Sequence, residues 1–329
     1  MDVFYPIRLF ADWVTVGLLG ITDPYWGSVV NFFIYDTVKI GLLLVLINYV
    51  MAVVRYYLPT ERARDIIGGR KWYGFEYILA ALLGVITPFC SCSSIPLFVG
   101  FVGAGIPLGV TFTFLVASPL INEASLFIFP AVFGFKMTAV YIALGVAVSV
   151  AVGLIIQRLK PEGNVNPAFL KFQTAKADIK KNGGKPVPFG KRAVTWWRDG
   201  MTVTKEVFPY ALLGVGLGAL IHGFVPRQFV ESVLNGGRWW AVPTAVILGT
   251  PLYANSVSVV PVMEALVGKG VDLGTALAFM TATVTLSVPG LLILKKAISW
   301  KLLLAFVVST AVGIVGMGYF FNYLWPIFA

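Results

Sequence analysis

Long apolar runs separated by short charged clusters set the pattern of this chain. Five runs contain no Asp, Glu, Lys, Arg or His: Tyr77–Asn122 with 46 residues, Met137–Gln157 with 21, Trp239–Met263 with 25, Leu273–Leu294 with 22 and Leu302–Ala329 with 28. A helix that crosses a bilayer needs about 20 apolar residues. Two shorter runs, Ile40–Val54 and Val207–Ile221, read as spans as well. Backbone polar groups in lipid must be satisfied within their own segment, so these runs predict helices. They lack the apolar/polar alternation of an outer-membrane barrel strand.

The pattern occurs twice. Leu58-Pro59 followed by Gly68-Gly69-Arg70-Lys71-Trp72 recurs as Val225-Pro226 followed by Gly236-Gly237-Arg238-Trp239-Trp240. Thr87-Pro88 recurs as Thr250-Pro251, and Gly103–Gly109 matches Gly268–Gly274. Each copy holds four apolar segments, at 32–55, 75–102, 107–134 and 137–157, then at 206–225, 240–266, 273–294 and 302–325. The chain therefore divides into an interfacial segment 1–31, a first membrane repeat 32–157, a connector 158–205 and a second membrane repeat 206–329. Tyr5, Trp13, Tyr25 and Trp26 suit the first segment to the headgroup zone, and no signal peptide is evident in it.

Composition agrees and narrows the function classes. The 329 residues are 58% hydrophobic and 12% charged, with mean hydropathy +0.85. A soluble domain is about 45–50% apolar and about 25% charged. Too little polar material is present to skin two soluble domains, which excludes a soluble enzyme. The net charge of +10 is not a nucleic-acid signature, because Arg158–Lys205 alone holds 11 Lys/Arg against 3 Asp/Glu. A basic loop of this kind stays on the cytoplasmic side of the cell membrane, where anionic lipid attracts it. The predicted fold is an all-α polytopic membrane protein of two homologous four-segment halves.

Proline and small polar residues interrupt the apolar runs at matching places. Thr87, Pro88 and Pro96 bracket Cys90-Ser91-Cys92-Ser93-Ser94, and Ser118-Pro119-Leu120-Ile121-Asn122-Glu123 interrupts the next segment. The second copy has Thr250-Pro251, Asn255-Ser256 and Pro261, then Ser287-Val288-Pro289-Gly290. Proline lacks the backbone donor and clashes with the preceding turn, so these positions predict broken helices. Paired breaks near midplane, at the interface of two repeats, are where secondary transporters bind their substrates. Eight full crossings would leave loops 55–71 and 295–301, each of net charge +3, on the outside. Turning 75–102 and 240–266 into re-entrant hairpins brings both loops inside and makes the halves inverted copies. The positive-inside tendency favours that version.

The chemistry concentrates in the breaks. Cys90 and Cys92 are the only two cysteines, in one Cys-Ser-Cys. Thiolates suit soft metals and thiophilic metalloids. Two thiols match a trivalent arsenic that already carries one carbon, whereas inorganic arsenite would prefer three. A disulfide between them would be strained, and no Cys-x-x-Cys redox context exists. Glu123 is the one acid deep in a segment, a candidate proton carrier, with Asn122 beside it. Tyr253 and Asn255 stand where Cys90 and Cys92 stand in the other copy. Substrate contacts are therefore expected at Cys90, Ser91, Cys92, Ser93, Ser94, Asn122, Tyr253 and Asn255. No cofactor and no ATPase motif are expected, and homo-oligomerisation is left open.

At these residues the sequence resembles the predicted-permease family that includes the organoarsenical efflux permeases. The resemblance rests on Thr-Pro-Phe-Cys-Ser-Cys-Ser-Ser-x-Pro-Leu-Phe, the following Gly-x-Pro-Leu-Gly-Val-Thr-Phe, Ser-Pro-Leu-x-Asn-Glu, and Gly-Thr-Pro-Leu-Tyr-Ala-Asn in the second half, over residues 30–325. It implies a cytoplasmic-membrane permease, not an enzyme, that exports a trivalent organoarsenical through Cys90 and Cys92. Gly290 stands where an acidic residue would be expected after the second-half proline. Two readings compete with this one. One is a carrier of a small sulfur-containing or other anion. The other is a membrane thiol oxidoreductase or metal-delivery protein.

Overall fold

A computed structural model describes residues 5–21, 23–57, 74–86, 91–103, 106–122, 125–126, 128–159, 189–224, 238–252, 256–268 and 270–328. These residues are helical and contain no strand. In chain order the helices are α1 (Tyr5–Asp12), α2 (Pro24–Tyr57), α3 (Phe75–Ile86), α4 (Ser91–Gly103), α5 (Leu108–Leu120), α6 (Phe129–Arg158), α7 (Phe189–Phe224), α8 (Ala241–Gly249), α9 (Ser256–Gly268), α10 (Leu273–Thr285), α11 (Val288–Ala297) and α12 (Trp300–Phe328). A π-helical turn, Trp13–Leu18, follows α1.

Length separates two kinds of helix. The stretches Phe129–Arg158 and Trp300–Trp325 are long and apolar enough to cross a membrane. Leu273–Thr285 and Gly290–Ala297, bent by 48° at their junction, make a third crossing if they count as one span. By contrast α3 has 12 residues, α8 has 9, and α4, α5, α9 and α10 have 13 each. At about 1.5 Å per residue none of these six exceeds about 20 Å, short of a hydrocarbon layer of about 30 Å. Large side chains such as Phe135, Ile247, Leu304 and Val312 are exposed around the outside, as a lipid-facing surface requires.

Each half is built around one short helix that is apolar or small all round. All 13 residues of α10 are buried, and so are 12 of the 13 in α5. A helix with no polar stripe must be surrounded on every side. In the first half α3, α4 and α6 pack against α5, and in the second α8, α9 and α12 pack against α10. The helix α3 runs parallel to α5. Its start, Tyr77 and Ala80, clusters with Ile106, Val110 and Phe114, and its end, Gly84, lies against Phe114, Ala117 and Ser118. The return helix α4 runs the other way. It packs against α5, and only four residues separate its end at Gly103 from the start of α5 at Leu108, the short link of an antiparallel helix pair. Consecutive helices α3 and α4 are therefore antiparallel.

Close helix approaches recur at an offset of 165 residues, as from Gly84 to Gly249. A Cβ on Gly249 would meet Phe279, Ala282 and Thr283, the same places on α10 that Gly84 meets on α5. Gly109 faces Gly153 and Gln157, and Gly274 faces Gly318 and Asn322. Small residues let helix backbones approach this closely. The polar ends match too: the Gln157 Oε1 accepts from the Gly109 N–H at 2.8 Å, and the Asn322 Oδ1 accepts from the Thr275 N–H at 3.2 Å. The helices α2 and α7 begin at the same offset, at Pro24 and Phe189.

Helices at equivalent positions meet across the centre, and they run antiparallel. On α6 and α12, Val148 lies against Gly313, while the earlier Tyr141 meets the later Phe321 at 6.1 Å. On α2 and α7, Phe33 faces Gly216, Gly41 faces Phe208, and the Asn48 amide donates to Thr204 Oγ1 at 3.0 Å. Tyr49 stacks near Trp197 at 6.1 Å.

Several sequence expectations shift. The first long helix begins at Pro24, inside the segment assigned to 1–31. The helix α7 begins at Phe189, so the final part of the connector 158–205 is its first turns, still rich in Lys and Arg. The single segment expected at 107–134 is two pieces, because α5 stops at Leu120 and α6 starts at Phe129. A kink at Gly134, with φ 81°, then separates the start of α6 from its long body, near the expected segment boundary. Only glycine takes that φ freely.

Candidate functional site

The expected breaks fall between short helices, with one exception. Residues 87–90, including Thr87, Pro88 and Cys90, join α3 to α4 and lie outside the described residues. Ser91, Cys92 and Ser93 form the first turn of α4; their side chains are also outside the description. Pro96 is not a break, because α4 continues through it to Gly103. At this sixth position of the helix the proline offers no N–H to the Cys92 carbonyl, and its ring crowds that carbonyl. Ser94 is fully buried.

The second-half hairpin turns two residues earlier. Its first helix, α8, ends at Gly249, and Thr250 Oγ1 donates back to the Val246 carbonyl at 2.7 Å. Pro251 follows in a turn, and α9 starts at Ser256. Tyr253 and Asn255 lie outside the described residues. Because α8 stops sooner than α3 while α4 and α9 start in register, the 165-residue offset sets Asn255 against Cys90 and Val257 against Cys92. The Thr-Pro pairs alone had suggested Tyr253 and Asn255.

The break after α5 is closed by its own side chains. Pro119 sits in the last turn of α5, and the chain leaves the helix at Ile121. Asn122 is buried; its Nδ2 donates to the Pro119 carbonyl at 3.1 Å, and its Oδ1 accepts from the Ser125 N–H at 3.2 Å. Ser125 Oγ donates to the Asn122 carbonyl at 2.7 Å. Asn122 thus acts as a cap, as Asn does where a helical turn begins. Glu123 lies outside the described residues. Tyr141, on α6, was not singled out from sequence. Its hydroxyl donates to the Leu120 carbonyl at 2.8 Å, satisfying an acceptor that the end of α5 leaves open.

The break between α10 and α11 is different. It consists of Leu286 and Ser287, with Pro289 in the first turn of α11. Ser287 makes no side-chain cap bond. This helix is shared between the halves: α4 and α7 both pack against it. The helix that carries Cys92 is therefore a direct neighbour of α11. Among the described residues no group of three His, Cys, Asp or Glu side chains could hold a metal ion.

Apolar outer faces, two or three stretches among the described residues long and apolar enough to cross a membrane, and central half-length helices mark a multi-pass membrane protein. The chain belongs to the predicted-permease family, which matches residues 25–323. A UPF0718 protein of Methanocaldococcus jannaschii is 22% identical over 312 residues, covering 77% of this chain and 86% of its own. Escherichia coli UPF0718 protein YraQ is 22% identical over 253 residues, 77% of this chain and 68% of its own. A Streptococcus mutans protein named as a two-component membrane permease complex subunit is 24% identical over 275 residues, 80% and 81%. No solved structure matches the chain. The protein is a permease by family, and the Streptococcus mutans relative is named as a permease subunit.

Proposed function

We propose that the protein is a secondary-active permease whose two halves are inverted copies, with a small solute moving between them. The antiparallel pairing of equivalent helices, α6 with α12 and α2 with α7, carries this reading. Two copies related in that way can rock against each other and open to either side in turn. The pairing also sets Arg158 level with Trp300, and Tyr57 level with Phe189. The basic loops 55–71 and 295–301 then share the connector's side, which the positive-inside rule makes cytoplasmic. The hairpins α3–α4 and α8–α9 turn back within the membrane rather than crossing it.

The cargo is a thiophilic solute, a trivalent organoarsenical, held by Cys90 and Cys92 and exported. Support comes from the Cys-Ser-Cys at the head of α4 and from the place of α4 beside α11. Glu123 carries the coupling proton. Proteoliposomes containing the full chain should move methylarsenite faster under a pH gradient. Replacing both cysteines by serine should abolish that movement and the resistance it confers on cells. Unchanged resistance in the double variant would overturn the thiol role.

A further inference from the structure

Buried hydroxyls on these helices follow a strong default. Thr113, Thr138, Ser149, Thr283 and Ser309 each donate to the carbonyl four residues back, at 2.7–3.0 Å. Three hydroxyls of the second half depart from it. Thr285, Ser287 and Thr310 are 6%, 1% and 0% exposed, and their oxygens have no hydrogen-bond partner among the described residues. Leaving one such group unpaired costs about as much as a hydrogen bond is worth, so three together ask for a purpose.

The three belong to one place. Thr285 ends α10 and Ser287 opens α11. A side chain on Gly145 would touch Ile121 and Leu120, and the 165-residue register places Thr310 against Leu286 and Thr285 in the same way. The first half has no such group: Leu120, Asn122 and Gly145 occupy the equivalent positions, and the Asn122 side chain is spent on its own turn. The counterpart break is thus closed, and this one is open. Helix geometry adds donors. The N–H groups of Val288 and Gly290 lie in the first turn of α11 and have no intrahelical acceptor, and the helix axis places partial positive charge there. Buried hydroxyls beside a helix N-terminus suit the oxygen atoms of an anion.

We infer that Thr285, Ser287 and Thr310, with the first turn of α11, form a binding site for a small oxyanion. The site rests on the reading of the chain as a permease for its purpose and not on the identity of the cargo, and its binding is measured separately. The test uses the full chain in detergent, with sulfate and thiosulfate as probes. Both anions raise the melting midpoint of the unaltered protein. The variants T285V, S287A and T310V each weaken that binding about ten-fold, and the triple variant abolishes the shift. Without anion these variants melt at or above the parent, because each removes a polar group that has no partner. A lower midpoint without anion would show that the hydroxyls serve internal partners and would overturn the site. A shift that survives in the triple variant, or no shift in the parent, would overturn it too. Flux assays separate the two readings. Hydroxyl-dependent binding in a protein that moves no solute overturns the permease reading alone. Undiminished flux in the triple variant, with no anion shift in the parent, overturns the site alone.

Discussion

Substituting Gly109 by Ala tests the packing that holds each half together. An added Cβ would lie 2.6 Å from the Gly153 carbonyl oxygen and 2.7 Å from the Gln157 Cβ, where ordinary contact begins at 3.4 Å. The first of these neighbours is backbone, so α5 and α6 must separate by several tenths of an ångström. Three effects compete. Helix propensity favours Ala over Gly by about 0.8–1.0 kcal/mol. Overpacking a tight contact costs about 1–3 kcal/mol. Separation also stretches the 2.8 Å bond from the Gly109 N–H to Gln157, worth about 1 kcal/mol. The clash and the lost bond outweigh propensity, for a net loss of about 1–3 kcal/mol. Gly316 on α12 is the control, because nothing lies within 4 Å of its Cβ position. There propensity acts alone, and Gly316→Ala should stabilise by about 0.5–1 kcal/mol. Melting midpoints of purified protein in one detergent should therefore move in opposite directions for G109A and G316A. A G109A midpoint at or above that of the parent would refute the close approach of α5 to α6.

Two further outcomes follow from single contacts. Tyr141→Phe should lower the midpoint by the equivalent of about 1–3 kcal/mol, because it strands the buried Leu120 carbonyl; an unchanged midpoint would mean that the carbonyl has another donor. In a C90S/C92S background, the pair V148C and G313C should form a disulfide under mild oxidant, since a Gly313 Cβ would lie 3.6 Å from the Val148 Cβ, within the about 3.5–4.5 Å such a bond needs. Cleaving the connector should then leave both halves together on a non-reducing gel, and separate halves would refute the crossing of α6 and α12.

Much of this fold was legible in the runs of apolar residues. Their lengths gave the long helices at 137–157 and 302–325, and the kink at Gly134 falls where two segments were divided. Charge misled at α7. Lys191, Arg192 and Arg198 read as connector, yet they stand on the polar first turns of a helix whose apolar part comes later. Proline misled at Pro96, where α4 runs on past the ring to Gly103. The Thr-Pro pairs misled on register, because proline marks where a helix stops and the two hairpins stop at different points. Asn122 was legible as polar and buried, but not as a cap, because its partners lie on its own turn. Thr285 and Thr310 are not distinguished in the sequence, and Ser287 only as part of a break, because hydroxyls in apolar helices usually bond their own backbone. A position-by-position comparison of the halves at offset 165 would have marked them, each facing Leu, Asn or Gly.

Equivalent helices that run antiparallel have a consequence for direction. On the proposed inverted-repeat reading, the molecule turned over in the membrane would present nearly the same backbone to each side. Net direction is set by the gradients of solute and coupling ion; what the two sides do differently is decided by the few positions where the copies differ. The closed turn at Asn122 and the open one at Ser287 are such a pair, and so are Cys90 and Asn255. Exchanging side chains between them, with no change of helix or loop, would alter how each side holds the solute and leave the gradients to set the direction.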